Sequence, residues 1–418
     1  MEKFLIVGGQ NLNGTIDVDC SKNSYLPILA GTILCEEEIK LKSCPNFLDI
    51  KNMCKILNSL NIKTKLIKGD LIVDGKNANK STIETNLAKE LRSSVFALGS
   101  LLGRFKKAKV AYPGGCDIGL RPIDLHIKGL KDLGVKIVER NGYINCDGRN
   151  MKGGVVHLDF PSVGATENIM MASVLIKGTT KIINSAKEPE IVDLQNFLNS
   201  MGAKIEGAGT SIITICGVDK LCGTTYEPIK DRIIAGTFLI ATAMCGGNIT
   251  IEKCNPKHFS VLTDKLQKSG CKIVIKDDKI NLESSGRLKS VNLIETAPYP
   301  GFPTDLQSQM LALQTISKGS CLIKENLFET RFKFVSELTK MGASIKVRNQ
   351  TAYISGVKKL WGADVFATDL RGGVALVLAG LCAQGYTTVH NIFHIDRGYA
   401  NLENTLTNLG AKILRVDE

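Results

Sequence analysis

An α/β protein built from six copies of one strand–helix unit is the fold class this sequence predicts. Two recurring phrases, and the alternation of strand-like with helix-like segments around them, are the observations behind that reading. The first phrase closes an amphipathic helix and opens a strand. Its copies are LNSLNIKTKLI from Leu57, LKDLGVKIV from Leu130, LNSMGAKIE from Leu198, LQKSGCKIVI from Leu266, LTKMGASIKV from Leu338 and LTNLGAKILRV from Leu406, 68 to 73 residues apart. Glycine stops the helix in every copy but the first, where Asn61 takes its place. Both residues tolerate the left-handed conformation in which helices commonly end.

The second phrase keeps the same beat and opens a helix. Its copies begin at Lys22, Leu91, Gly164, Asp231, Thr304 and Thr368, each with polar residues followed by an Ala- and Gly-rich run that is apolar nearly all round. A helix with no polar face belongs inside its domain. Three such units about an axis would put these helices in the middle and the sheets outside. Helix starts carry unpaired N–H groups and about half a positive charge, so several converging starts would bind an anion. The side chains at those starts include Lys22, Asn23, Arg92, Arg232, Asp305, Asp369 and Arg371. The alternative is structural: Asp and Asn cap helices, and arginines pair with neighbouring acids. Lys22 opens a buried helix that carries no acid of its own, which favours a binding role for it.

Composition narrows the function classes. With 418 residues, 44% hydrophobic and 22% charged, the chain is long enough for two globular domains. The 13 cysteines are odd in number, scattered and without a Cys-x-x-Cys pair, and only five histidines accompany them. Neither a disulfide framework nor a zinc site follows from that pattern, and a reducing cytoplasm suits it. The apolar run Val374 to Ala383 is far short of the ~20 residues a membrane-spanning helix needs. A net charge of +12 could attract nucleic acid, but the basic residues are dispersed and aromatics make up 6%. Small anionic substrates are the better reading.

One loop reads as chemistry. Tyr112-Pro-Gly-Gly-Cys-Asp-Ile-Gly-Leu-Arg-Pro-Ile-Asp124 sets Cys116 among Gly114, Gly115 and Gly119, fenced by Pro113 and Pro122 and five residues before Arg121. A nearby guanidinium would ease loss of the thiol proton, Asp117 would oppose that, and an unperturbed thiol could serve as an acid.

With these segments laid out, the chain resembles the UDP-N-acetylglucosamine 1-carboxyvinyltransferase family over nearly its whole length. SKNSYLPILAGTIL at Ser21, LRSS at Leu91, PGGCDIGLRPIDLH at Pro113, SVGATENIMMA at Ser162, EPEIVDLQNFL at Glu188, PGFPTDLQSQ at Pro300, FETRF at Phe328, ATDLRGG at Ala367 and HIDRGY at His394 carry the resemblance. It implies a two-lobed inside-out α/β barrel with three units per lobe, one lobe at residues 22–229 and the other at 1–21 plus 230–418, and an active site between them. The implied reaction moves the enolpyruvyl group of phosphoenolpyruvate to the 3′-hydroxyl of UDP-N-acetylglucosamine and releases phosphate, a step of peptidoglycan precursor synthesis. No metal or redox cofactor is implied.

By the same resemblance, Lys22, Asn23, Arg121, Arg331, Arg371 and Arg397 hold phosphoenolpyruvate, with Lys22 and Arg397 in the catalytic set. Guanidinium forks suit its phosphate and carboxylate better than ammonium groups alone. Cys116 is the implied proton donor and site of a covalent adduct, open to alkylation by the epoxide fosfomycin, and Asp305 the implied acceptor of the sugar hydroxyl proton. Asn23, Arg92, Arg121, Pro122, Ile123, Asp124, Leu125, Ser162, Val163, Gly164, Asp305 and Leu327 match nucleotide-sugar positions. Arg121 either serves both ligands or lies where they meet. Two departures stand out: Phe160-Pro161, where some members have lysine near the diphosphate, and Gly372-Gly373, which replaces bulkier residues and is expected to loosen its helix start. The related enzymes acting on shikimate 3-phosphate do not share the PGGCDIGLRP segment.

Overall fold

The computed structural model describes residues 2–114 and 123–417. Cys116, Arg121 and Pro122, which the sequence singles out, lie outside the described residues. The chain divides into two compact units, one of residues 2–19 and 230–417, the other of residues 20–114 and 123–229.

Each unit carries three four-stranded sheets, so the six sequence copies become six sheets. Every sheet has one parallel pair at an edge and antiparallel pairing through the rest, as in Asp364–Phe366, Tyr386–His390, Glu2–Val7 and Lys412–Asp417. The strand that opens the chain thus completes the sheet formed by the last repeat. Leu12–Asp17 runs parallel to Gly247–Glu252, and Thr225–Tyr226 runs parallel to Glu38–Leu41. An edge strand borrowed from elsewhere in the chain thus completes one sheet of each unit.

The repeating phrase folds as its residues dictate. The six amphipathic helices end at Ser59, Asp132, Ser200, Ser269, Lys340 and Asn408, and strands begin three or four residues on. Between them Asn61, Gly134, Gly202, Gly270, Gly342 and Gly410 all take positive φ, from 65° at Asn61 to 113° at Gly270. Asparagine is the one common L-residue besides aspartate that enters this region at small cost.

The second phrase becomes the core. Lys22–Gly31, Ala97–Phe105, Val163–Ser173, Arg232–Cys245, Gln307–Ile316 and Leu370–Cys382 are buried along nearly their whole length. In the second of these sets Arg232–Cys245, Gln307–Ile316 and Leu370–Cys382 pack against one another, and Ala97–Phe105 touches both other helices of its own unit. Two of the six openings are tighter than predicted. Arg92–Phe96 and Thr304–Leu306 are 3-10 turns ahead of their α-helices.

Buried polar links tie the core helices together. Thr237 shares a 2.7 Å hydrogen bond with the Tyr399 hydroxyl and receives one from Gln309, while Tyr399 also accepts from Arg371. In the other unit Asn168 accepts from the Gly99 amide and donates to Val95. Each link satisfies polar atoms that would otherwise be costly to bury and fixes the helices in one register.

Candidate active-site residues

In the unit of residues 20–229, three helix starts come together at Gly164. A Cβ built there would lie 3.0 Å from Phe96 and 3.0 Å from His126, so glycine lets the start of Val163–Ser173 approach Arg92–Phe96 and Asp124–Asp132 without displacing either ring. Asn168 bonds both partners, donating to Val95 and meeting His126 Nδ1 at 2.7 Å. Arg92, Asp124, Leu125, Ser162, Val163 and Gly164 therefore share one end of the unit. Ser162 caps its helix through the Ala165 amide. Of the described residues flanking the Cys116 segment, the Gly114 amide donates to Ala88 O, and Ile123 is buried at the head of Asp124–Asp132.

Lys22 and Asn23 open the helix Lys22–Gly31. Contrary to the sequence reading, Lys22 has an acid beside it: its Nζ lies 2.8 Å from Asp49 Oδ2, with side-chain exposures of 11% and 3%. Asp49 sits in the first turn of Leu48–Ser59, where a carboxylate is favoured by the helix dipole. The pair holds the ammonium group at the helix start with its charge largely desolvated. Near Phe160, which is exposed, Lys128 pairs with Asp159 and draws that carboxyl below its usual range.

The second constellation belongs to the other unit. Asp305, in the turn Thr304–Leu306, is gripped from two sides: Arg331 Nη2 stands 2.9 Å from Oδ1 and Arg371 Nη2 3.1 Å from Oδ2. Exposure is 3% for the Arg331 side chain, 5% for Arg371 and 25% for Asp305, so the carboxylate is the part that faces water. Arg331 also donates to Thr304 O, and the Arg371 guanidinium lies 5.9 Å from the Tyr399 ring centre. Burial works to lower the Arg371 pKa, but Asp305, then Tyr399 and Asp231, more than offset it, and Arg371 is held above its ordinary value. It is a permanent cation.

Capping explains two of the acids. Asp231 accepts from the Ile233 and Ile234 amides, and Asp369 from those of Arg371 and Gly372. Asp369 thereby fixes the turn that aims Arg371. The Gly372-Gly373 pair does not loosen this start, as the sequence reading expected. A Cβ at Gly372 would fall 2.7 Å from Asp369 Oδ2 and 2.9 Å from Phe334 Cβ, and one at Gly373 2.8 Å from Ala367 Cβ. The glycines permit tight packing. Arg397 follows the turn Ile392–His394. Burial first, and then the Arg397 charge, push the His394 pKa down while Asp369 raises it, so Arg397 and the capped helix start share one electrostatic neighbourhood.

Sequence reasoning missed Glu325. Fully buried, it accepts from the Thr296 and Thr304 hydroxyls and from the Leu327 and Phe328 amides. One carboxylate thus ties the turn bearing Asp305 to the loop that runs from Leu327 to Arg331. A single acid after a strand gives no signal of this in the sequence.

Comparison with known proteins follows the same lines. The profile of the EPSP synthase (3-phosphoshikimate 1-carboxyvinyltransferase) family matches residues 6–406. UDP-N-acetylglucosamine 1-carboxyvinyltransferase 2 of Caldanaerobacter subterraneus subsp. tengcongensis is 51% identical over 416 residues, covering 100% of each chain. The protein of that name from Carboxydothermus hydrogenoformans is 47% identical over 420 residues, again covering 100% of each. Among solved structures, the enolpyruvyl transferase NikO from Streptomyces tendae superposes with a TM-score of 0.88 at 21% identity, over 99% of this chain and 98% of its own. EPSP synthase from Acinetobacter baumannii gives 0.73 at 16% identity over 100% of both. At these identities the two structures speak for the fold alone. No helix among the described residues is long and apolar enough to cross a membrane.

Proposed function

This chain belongs to the UDP-N-acetylglucosamine 1-carboxyvinyltransferase family, within the enolpyruvyl transferases, and on that premise we propose that it transfers the enolpyruvyl group of phosphoenolpyruvate to the 3′-hydroxyl of UDP-N-acetylglucosamine with release of phosphate. The observation that carries the reading is the Asp305 carboxylate held between two buried guanidinium groups. Such a site offers a small dianion two forks and places an acceptor for a hydroxyl proton between them.

In this mechanism Arg331 and Arg371, with Lys22, Asn23, Arg121 and Arg397, bind the phosphate and carboxylate of phosphoenolpyruvate. The arriving dianion competes with Asp305 for the guanidinium N–H groups, which frees a carboxylate oxygen for the sugar hydroxyl. Cys116 delivers a proton to the methylene carbon as the hydroxyl oxygen attacks its neighbour. Loss of a methyl proton and of phosphate then restores the double bond in the product. Arg92, Asp124 and Ser162, with their neighbours Ile123, Leu125, Val163 and Gly164, would hold the nucleotide sugar, whose diphosphate is suited to converging helix starts. Asn23, Arg121, Pro122, Asp305 and Leu327 complete that set.

Phosphate release, measured with phosphoenolpyruvate and either UDP-N-acetylglucosamine or shikimate 3-phosphate as acceptor, tests the proposal. Release is expected only with the nucleotide sugar and is expected to vanish in Cys116→Ala. Turnover with shikimate 3-phosphate, or full activity without the thiol, would overturn it.

A further inference from the structure

Arg415, on the strand Lys412–Asp417 that nearly ends the chain, is the centre of an ionic cluster with three carboxylates. Its Nη2 and Nη1 grip Asp396 as a fork, at 2.6 and 3.0 Å. Its Nε lies 3.0 Å from Glu403 Oε1, and Nη1 reaches Glu2 at 2.8 Å. The guanidinium lies 5.1 Å from the ring centre of buried Phe4. The hydrogen bonds that Arg415 donates to Asp396 lead the effects that raise its pKa despite partial burial.

Three carboxylates on one guanidinium are more than charge balance requires, and their positions explain the excess. Glu2 lies on the first strand, Glu403 on the helix Leu402–Asn408 and Asp396 in the segment between the turn Ile392–His394 and Tyr399. Arg397 is the next residue in the chain. Two residues further on, Tyr399 is pinned by Thr237 and Arg371. The backbone that carries Arg397 is therefore clamped on both sides, by a bidentate ion pair before it and a buried hydroxyl after it.

We propose that Arg415 is a positioning residue for phosphoenolpyruvate, holding Asp396 so that Arg397 meets the substrate's anionic groups in a fixed geometry. The inference rests on the reading of Arg397 as a ligand of that substrate. A planar fork is what the task needs: a single ammonium would neutralise Asp396 but leave its carboxylate free to rotate.

Steady-state phosphate release, with each substrate varied separately, tests it in Arg415→Met, Arg415→Lys, Asp396→Asn and Arg397→Ala. Small displacements of an aligned group cost about a hundredfold, so Arg415→Met and Asp396→Asn should raise the KM for phosphoenolpyruvate by roughly ten- to a hundredfold. The KM for UDP-N-acetylglucosamine should stay at its parent value, and Arg415→Lys should recover part of the loss. Asp396→Asn leaves the Arg415 contacts to Glu2 and Glu403 in place, so it reports on the clamp even if Arg415→Met does not fold. An unchanged KM for phosphoenolpyruvate in Asp396→Asn, or equal losses for both substrates, overturns the positioning role. If Arg397→Ala itself leaves phosphoenolpyruvate kinetics unaltered, the reading of the site fails instead.

Discussion

Removing the Asp305 carboxylate should both destabilise its unit and convert it into an anion trap. The carboxylate stands 2.9 Å from Arg331 and 3.1 Å from Arg371, whose side chains are almost fully buried. At 4 Å and an effective dielectric constant of 20, one such pair attracts by about 4 kcal/mol before desolvation is counted. In Asp305→Ala the two guanidinium groups stay buried and lose their shared counter-charge, a change that costs about 3–5 kcal/mol in comparable pairs. Asp305 is a quarter exposed, so water reaches the gap and the lower figure, about 3 kcal/mol, applies. Domains of 150–250 residues lose roughly 2–4 °C of Tm per kcal/mol, giving a fall of about 6–12 °C. Phosphate can then occupy both forks, and a ligand that binds only the folded form raises Tm by mass action. Thermal unfolding in chloride and in phosphate at matched ionic strength is the assay. Phosphate should restore part of the lost Tm in the variant and raise the parent less. Asp305→Asn, which keeps the shape without the charge, should lose less stability yet cut turnover by about 10²–10⁴, as removal of a proton acceptor does. A variant as stable as the parent in chloride, or the same phosphate gain in both proteins, would refute the reasoning.

Two further outcomes follow from buried groups. Glu167 is fully buried, and neither oxygen has a hydrogen-bond partner among the described residues. Burial, and after it the charges of Glu190 and Glu188, raise its pKa well above 4.5. Above that value the unfolded chain gives up this proton while the folded chain keeps it, so stability falls with rising pH by about 1.4 kcal/mol per unit until the folded-state pKa is reached. Glu167→Gln carries no such penalty and should melt higher than the parent at pH 8, with the gap closing toward pH 5; a pH-independent gap would contradict this. At Gly372, alanine should gain about 1 kcal/mol in helix propensity. Its Cβ would meet Asp369 Oδ2 at 2.7 Å, so overpacking of about 1–3 kcal/mol together with the weakened cap should outweigh the gain. Gly372→Ala is therefore expected to lower Tm and to raise the KM for phosphoenolpyruvate through Arg371, and a Tm above the parent's would show that Asp369 yields without cost.

What the sequence made legible is what local chemistry dictates. Asn61 announces a helix end because few residues accept its φ of 65°, and the all-apolar run from Val374 announces a buried helix because no face of it suits water. These signals need only neighbours a few positions away, which is why the six units could be read from one chain. The charges of the site could be named as cations at helix starts, but not assigned partners. Asp49 is 27 positions from Lys22, Arg371 is 66 from Asp305, and Arg415 reaches across almost the whole chain to Glu2. Each of these pairs is created by separate elements of the fold packing on one another, so no short window of sequence contains it. Glycine shows the same division. Backbone freedom alone reads Gly372 as a loosening, whereas its surroundings leave no room for a Cβ beside Asp369 and Phe334. Backbone freedom is a property of one residue, but the use made of it is decided by whatever the fold brings within 3 Å of the missing side chain.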